Sequence, residues 1–159
     1  MSDIAAEAGV ARQTIYSFFK NKDEILCASI RHYSDQSLAQ IRRQWAQCFE
    51  LGEKLDAFFE HAIVSSFAIV SATPDARDMI GGYNAAGKAE TDLAQADKIA
   101  AWAETLADHL PPTNRTIQSS QLAEYIVMTS LGLRDLAKSE KQLRMLLEIQ
   151  KQGILSMVR

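Results

Sequence analysis

Residues 4–21 read IAAEAGVARQTIYSFFKN, and this stretch decides the fold. Ile4 and Ala8 lie one helical turn apart and share a face, as do Ile15 and Phe18 further on. Gly9 and Val10 separate the two runs, and Gly9 can take the positive φ that ends a first helix. Ala5 falls where a second helix would cross the first, and its methyl group permits close approach. Ser2 offers an N-cap oxygen, with Asp3 at the positive end of the first helix. Two helices this short bury little surface alone, so they must pack on each other and on something else.

This is the helix-turn-helix pattern, whose second helix enters the DNA major groove. Ser2, Arg12, Gln13, Thr14, Tyr16, Ser17, Lys20 and Lys22 form the candidate DNA-contacting set. Arginine reads guanine bidentately, glutamine reads adenine, and a threonine methyl can touch a thymine methyl, whereas lysine suits phosphate. The net charge of -3 rules out a protein coated in basic surface. Residues 11–22 nevertheless carry Arg12, Lys20 and Lys22 with no acid among them, a local basic footprint.

The remainder predicts an all-α protein. Three prolines and seven glycines in 159 residues, 47% of them hydrophobic, favour long helices around a core over a strand-and-turn fold. Asn21 followed by Glu24 signals the cap of a long helix with apolar positions Leu26, Ile30, Tyr33, Leu38, Ile41 and Trp45. That helix would connect the DNA-reading end to a separate body, so the expected division is 1–22 and 23–159. Gly52 marks a break before a second long helix from about Glu53 to Ser71. Thr73-Pro74-Asp75 opens a short helix ending near Gly81-Gly82 or Gly87. A helix rich in small residues covers Asp92 to Leu110, closed by Pro111-Pro112 and a TNRT loop. Two more follow, from Gln118 to Ala137 and from a capping box at Ser139-Glu140-Lys141-Gln142 onward.

The stretch IAAEAGVARQTIYSFFKNKDEIL resembles the DNA-binding signature of the tetracycline-repressor (TetR) family of bacterial transcriptional regulators. The matching features are Ile4-Ala5, Ala8-Gly9-Val10, Thr14-Ile15-Tyr16, Phe19, and Asn21-Lys22 followed by Ile25-Leu26. The resemblance covers about a sixth of the chain. It implies a homodimer on a palindromic double-stranded operator, with the last two helices pairing with their mates as a four-helix bundle. Leu133, Leu143, Leu147 and Ile154 would then lie at the dimer interface; the alternative is that they fill their own subunit's core. It also implies a further helix ahead of Ser2, covering Ile4, Ala8, Ile15 and Phe18, so the expectation is an N-terminally truncated sequence.

An effector pocket in the body is the third implication. Phe58, Phe59, Phe67, Tyr83 and Trp102, with Met79 as an adaptable wall and His61 as a polar handle, are the candidate lining for an apolar or amphipathic small molecule. Such stripes also fill ordinary cores. The expected function is ligand-responsive repression: Thr14, Tyr16 and Lys22 hold phosphates, Arg12 and Gln13 face base edges, and effector binding changes the spacing of the two recognition helices. The alternative is a helical ligand-binding or interaction protein without DNA binding, because the covering helix is missing.

Enzymatic chemistry is not expected. His32, His61 and His109 lack HExxH spacing, and GxSxG, a phosphate-binding glycine loop and a Cys/His zinc cluster are all missing from the sequence, so no cofactor or metal is expected. Cys27 and Cys48 form neither a CxxC pair nor a disulfide framework, which fits a reducing cytoplasm. No stretch reaches the roughly 18 unbroken apolar residues of a membrane span, and no signal core opens the chain, so no membrane is expected.

Overall fold

The protein is seen here as a computed structural model that describes residues 1–72, 85–110 and 117–158. The predicted helix start at Thr73-Pro74-Asp75, Gly81-Gly82, Pro111-Pro112 and the TNRT loop lie outside the described residues. Within them the chain is helical and contains no strand, so the all-α fold stands.

Helix α1 (Ser2–Glu7) and helix α2 (Arg12–Phe18) form the N-terminal pair. The Ser2 hydroxyl caps nothing: the first turn already closes on Met1, whose carbonyl accepts from Ala5 N at 3.0 Å, which places Ser2 inside the helix. The C-terminus of α1 follows its sequence. Gly9 takes φ 64°, Val10 N reaches back to Ala5 O at 3.0 Å and Gly9 N to Ala6 O at 3.2 Å, a Schellman closure that satisfies the last carbonyls. Ala5 and Ile15 are the buried residues of the pair, one on each of the two packed helices.

Helix α3 (Lys22–Trp45) starts on the expected cap, Glu24 N donating to Asn21 Oδ1 at 2.9 Å. The Glu24 carboxylate returns the bond one residue earlier than a capping box would, to Lys20 N at 2.8 Å. Acids in the first turn and Arg42 and Arg43 in the last complement the helix dipole. At 24 residues the helix is about 36 Å long, enough to run from the helix pair into the body.

The break comes at Ala46–Glu50 and not at Gly52, because the Glu53 carboxylate accepts from Phe49 N at 3.1 Å and Glu50 N at 3.2 Å and so starts α4 (Leu51–Phe58) ahead of the glycine. The chain continues through a π-helical stretch (Phe59–Val64) into α5 (Ser65–Ala72). The wider turn has visible causes. Ser37 of α3 donates to the His61 carbonyl at 2.9 Å, and Ser65 Oγ takes the Glu60 carbonyl at 2.8 Å, so side chains occupy carbonyls the regular ladder would use. This 22-residue run, Leu51–Ala72, is long and apolar enough by composition to cross a membrane, with mean hydropathy 1.3. Here it is the central helix of the bundle, packed against α3 and against the last two helices, α7 (Ser119–Leu136) and α8 (Glu140–Met157).

Helix α6 (Ala85–Ala107) packs on α3 and α7. Gly87 allows its close approach to α3: a Cβ there would stand 3.0 Å from Leu26 Cδ2. Trp102 of α6 is fully buried, 4.5 Å from Trp45 and 5.5 Å from Phe58 between ring centroids, and Trp45 Nε1 donates to the Lys54 carbonyl at 2.8 Å. This aromatic cluster joins α3, α4 and α6. Helix α8 begins at the expected Ser139 cap, with Gln142 N on Ser139 Oγ at 3.2 Å. It is tied to α7 by a buried polar network in which Gln150 Oε1 accepts from Ser130 Oγ at 3.0 Å and Nε2 donates to the Ile126 carbonyl at 3.3 Å.

Candidate nucleic-acid interface and ligand cavity

On α2 the sequence separates two faces. Ile15 points inward, while Arg12, Gln13, Thr14, Tyr16 and Ser17 are all exposed on the outer side, followed by exposed Lys20 and Lys22. Arg12 is held in place: its Nη2 donates to the Tyr16 hydroxyl at 3.3 Å and its guanidinium lies 5.3 Å from the centre of the Tyr16 ring, four residues and one turn away. Ser17 Oγ is turned back onto the Thr14 carbonyl at 2.6 Å, which leaves its oxygen free to accept but occupies its proton. Ser2 is exposed on α1, apart from the α2 face. Phe18 is 76% exposed, and Val10 and Ala8 are also open, so the apolar side of the pair carries uncovered surface.

A second feature lies inside the body. A cavity of about 380 Å³ opens between α3, the π stretch and α5, α6 and α7, within the range of roughly 300–1,000 Å³ typical of small-molecule sites. Its wall is almost entirely apolar. Leu26, Ile30 and Tyr33 come from α3, Ala62 and Ile69 from the central helix, Ala94 from α6 and Leu131 from α7. Two cations interrupt the apolar lining. Lys98 Nζ donates to Ser34 Oγ of α3 at 2.8 Å and to the Ala94 carbonyl at 3.1 Å. Arg134 places Nη1 3.4 Å from Ser66 Oγ, while its Nε and Nη2 hold Asp135 Oδ1 at 2.8 and 2.7 Å. Burial pushes the Lys98 ammonium down to about 8, Arg134 adds to the depression, and Asp97 and Asp35 oppose it. Burial also raises the Tyr33 phenol, against the pull of Arg134.

Residues 1–28 match the family model described as bacterial regulatory proteins, tetR family. The match falls on the helix pair with its Schellman-closed glycine turn, buried Ala5 and Ile15, and polar α2 face. This helix pair is similar to the DNA-binding part of bacterial regulatory proteins of the tetR family. No curated protein and no solved structure matches it.

The structure places the residues expected to line an effector pocket as follows. Phe58, Phe59, Phe67 and Trp102 are buried in the hydrophobic core, and none of them lines the cavity. His61 also lies outside it, its Nε2 2.8 Å from Gln44 Oε1. Met79 and Tyr83 lie outside the described residues. The reason is size: large aromatics close on one another and leave no room, while the space that remains is bordered by Ala62, Ala94 and the serines. Likewise Leu143, Leu147 and Ile154 are buried in their own subunit's core, and Leu133 packs partly buried against it. They present little surface to a second chain.

Lys98 and Arg134 were not singled out from the sequence, although a signal existed. Lys98 falls midway between Ala94 and Trp102 at four-residue steps, on the face those two bury, and a lysine on a buried stripe is unusual. No metal-binding group of histidine, cysteine and acid is present among the described residues.

Proposed function

We propose that this chain is a ligand-gated repressor that binds a palindromic operator as a homodimer in the cytoplasm and is released by a small-molecule effector held in the body cavity. The observation that carries this reading is the position of α3. Its stretch from Leu26 to Ser37 forms one wall of the cavity, and its first residue, Lys22, stands four positions after the last residue of α2. A ligand that shifts α3 therefore acts on the segment that carries the recognition helix, and differential binding to two settings of α3 is what gating requires.

Arg12 and Gln13 face base edges, with Tyr16 orienting the Arg12 guanidinium, and Lys20 and Lys22 lie on phosphates. On operator DNA, Arg12→Ala costs about 1–3 kcal/mol and relaxes preference at one base position, whereas Lys22→Ala weakens all sequences and lowers the salt slope by about 1. Fluorescence anisotropy against DNA from the neighbouring promoter and against random duplex checks both. Equal losses on the two duplexes for Arg12→Ala would remove Arg12 from base reading.

The dimer uses the outer faces of α7 and α8. Tyr125, Met128 and Leu136 on α7, and Met145, Ile149 and Met157 on α8, are exposed although apolar. Gly132 and Gly153 lie within these stripes, and a Cβ at either would meet nothing within 4 Å, so each helix offers a flat place for another to approach. The wild-type chain sediments as a dimer at micromolar concentration, and Met128→Glu with Ile149→Glu gives a folded monomer that binds operator far more weakly. A wild-type monomer at that concentration would overturn the dimeric reading.

A further inference from the structure

Among the described residues, the two cations of the cavity are only partly compensated: Asp97 and Asp35 act on Lys98 without pairing with it, and Asp135 holds one edge of Arg134. Lys98 Nζ rests on two neutral oxygens, Ser34 Oγ and the Ala94 carbonyl, and makes no ion pair among the described residues. Arg134 is paired on one edge with Asp135, whose carboxylate is largely exposed, and among the described residues its remaining edge, Nη1, meets the Ser66 hydroxyl at 3.4 Å. Both cations and both serines line the same apolar space. A buried ammonium without a counterion is costly, and the cost vanishes when an anion arrives to form charge-assisted hydrogen bonds. The rest of the wall offers such an anion's remainder little besides hydrocarbon contact.

We infer that the cavity takes an amphipathic organic anion, an apolar body carrying one carboxylate, with its head on Lys98 and Arg134 and its body against Leu26, Ile30, Ala62 and Leu131. This rests on the reading of the cavity as the effector site and names the class of effector. It also supplies the gating contact. In the unliganded chain Lys98 spans from α6 to Ser34 of α3, a bond that holds the lever to the α6 wall. The incoming carboxylate is a stronger acceptor than the Ser34 hydroxyl and draws Lys98 away, so ligand binding releases α3 at its middle.

Calorimetric titration of the full 159-residue chain with decanoate and with decan-1-ol tests the inference. Decanoate binds at one molecule per chain and about tenfold or more tighter than the alcohol, since a charge-assisted bond exceeds a neutral one by the roughly 1.4 kcal/mol that a factor of ten requires. Lys98→Met and Arg134→Met each remove that preference while leaving decan-1-ol affinity in place, and Arg134→Lys retains most of it. Alcohol binding as tight as the acid, or a preference untouched in Lys98→Met, overturns the anion assignment and leaves an apolar effector cavity standing. Failure of decanoate, decan-1-ol and the neutral dye Nile red alike removes the effector cavity itself, and the inference with it.

Discussion

Replacing Trp102 by alanine lowers the stability of the chain by about 3–5 kcal/mol, the range for deleting a fully buried aromatic. The indole has no exposed surface and lies within 4.5 Å of Trp45 and 5.5 Å of Phe58 by ring centroids, so its loss opens a void at the junction of α3, α4 and α6. The surroundings cannot collapse into it easily, because Trp45 is anchored by its bond to the Lys54 carbonyl. Trp102→Phe costs far less. The Trp102 Nε1 proton is buried with no acceptor among the described residues, and phenylalanine removes that unsatisfied donor while keeping most of the ring volume. Urea denaturation of the two variants measures the difference. Equal losses would mean that the orphan N–H carries no cost, and a Trp102→Ala loss below about 1 kcal/mol would place the indole outside the structural core.

The second large effect depends on pH. Lys98 titrates near 8 in the folded chain against 10.5 for an ordinary lysine, so the unfolded state binds the extra proton more tightly and the ammonium opposes folding. The penalty is fully present below pH 8 and disappears as pH rises toward 10.5; with a shift of that size it is about 3 kcal/mol. Lys98→Met, which fills similar volume without charge, is therefore more stable than the wild type at pH 7 by up to about 3 kcal/mol, and the gap narrows between pH 8 and 10. The facing groups do not reverse this sign. Arg134 deepens the depression, Asp97 and Asp35 relieve part of it, and burial raises the neighbouring Tyr33 phenol, which keeps it in its neutral form further up the pH scale. Thermal unfolding at pH 7 and pH 9.5 checks the prediction. A constant difference between the two proteins across that interval would show that Lys98 is solvated in the folded chain. The same variant loses the proposed preference for decanoate, so a more stable protein with a weaker anion site is the expected pairing.

The helix pair was legible because its determinants are local. Gly9 closes α1, Ala5 and Ile15 are buried, and Arg12, Gln13, Thr14, Tyr16 and Ser17 face outward as the spacing demands. Caps were legible for the same reason: Asn21 and Ser139 receive the bonds their positions predicted. Gly52 misled because a glycine near a helix start can sit inside the first turn when an acid such as Glu53 caps the residues before it. The aromatic stripe of the central helix was legible as apolar, and Phe58, Phe59 and Phe67 lie in the core; periodicity says which face is buried and nothing of what it is buried against.

The sequence by itself determined the helical class, the helix-turn-helix and the register of its polar face, all set by side chains within one or two turns of each other along the chain. Only the tertiary structure decided which apolar faces close into core and which enclose a cavity, why the central helix widens at Phe59–Val64, and that Lys98 and Arg134 enter one space. Those outcomes depend on contacts such as Lys98 with Ser34, 64 residues apart, and Arg134 with Ser66, 68 apart. A repeat of 3.6 residues carries no record of such distances, because it fixes the direction of a side chain about its own helix axis and not the partner that direction meets.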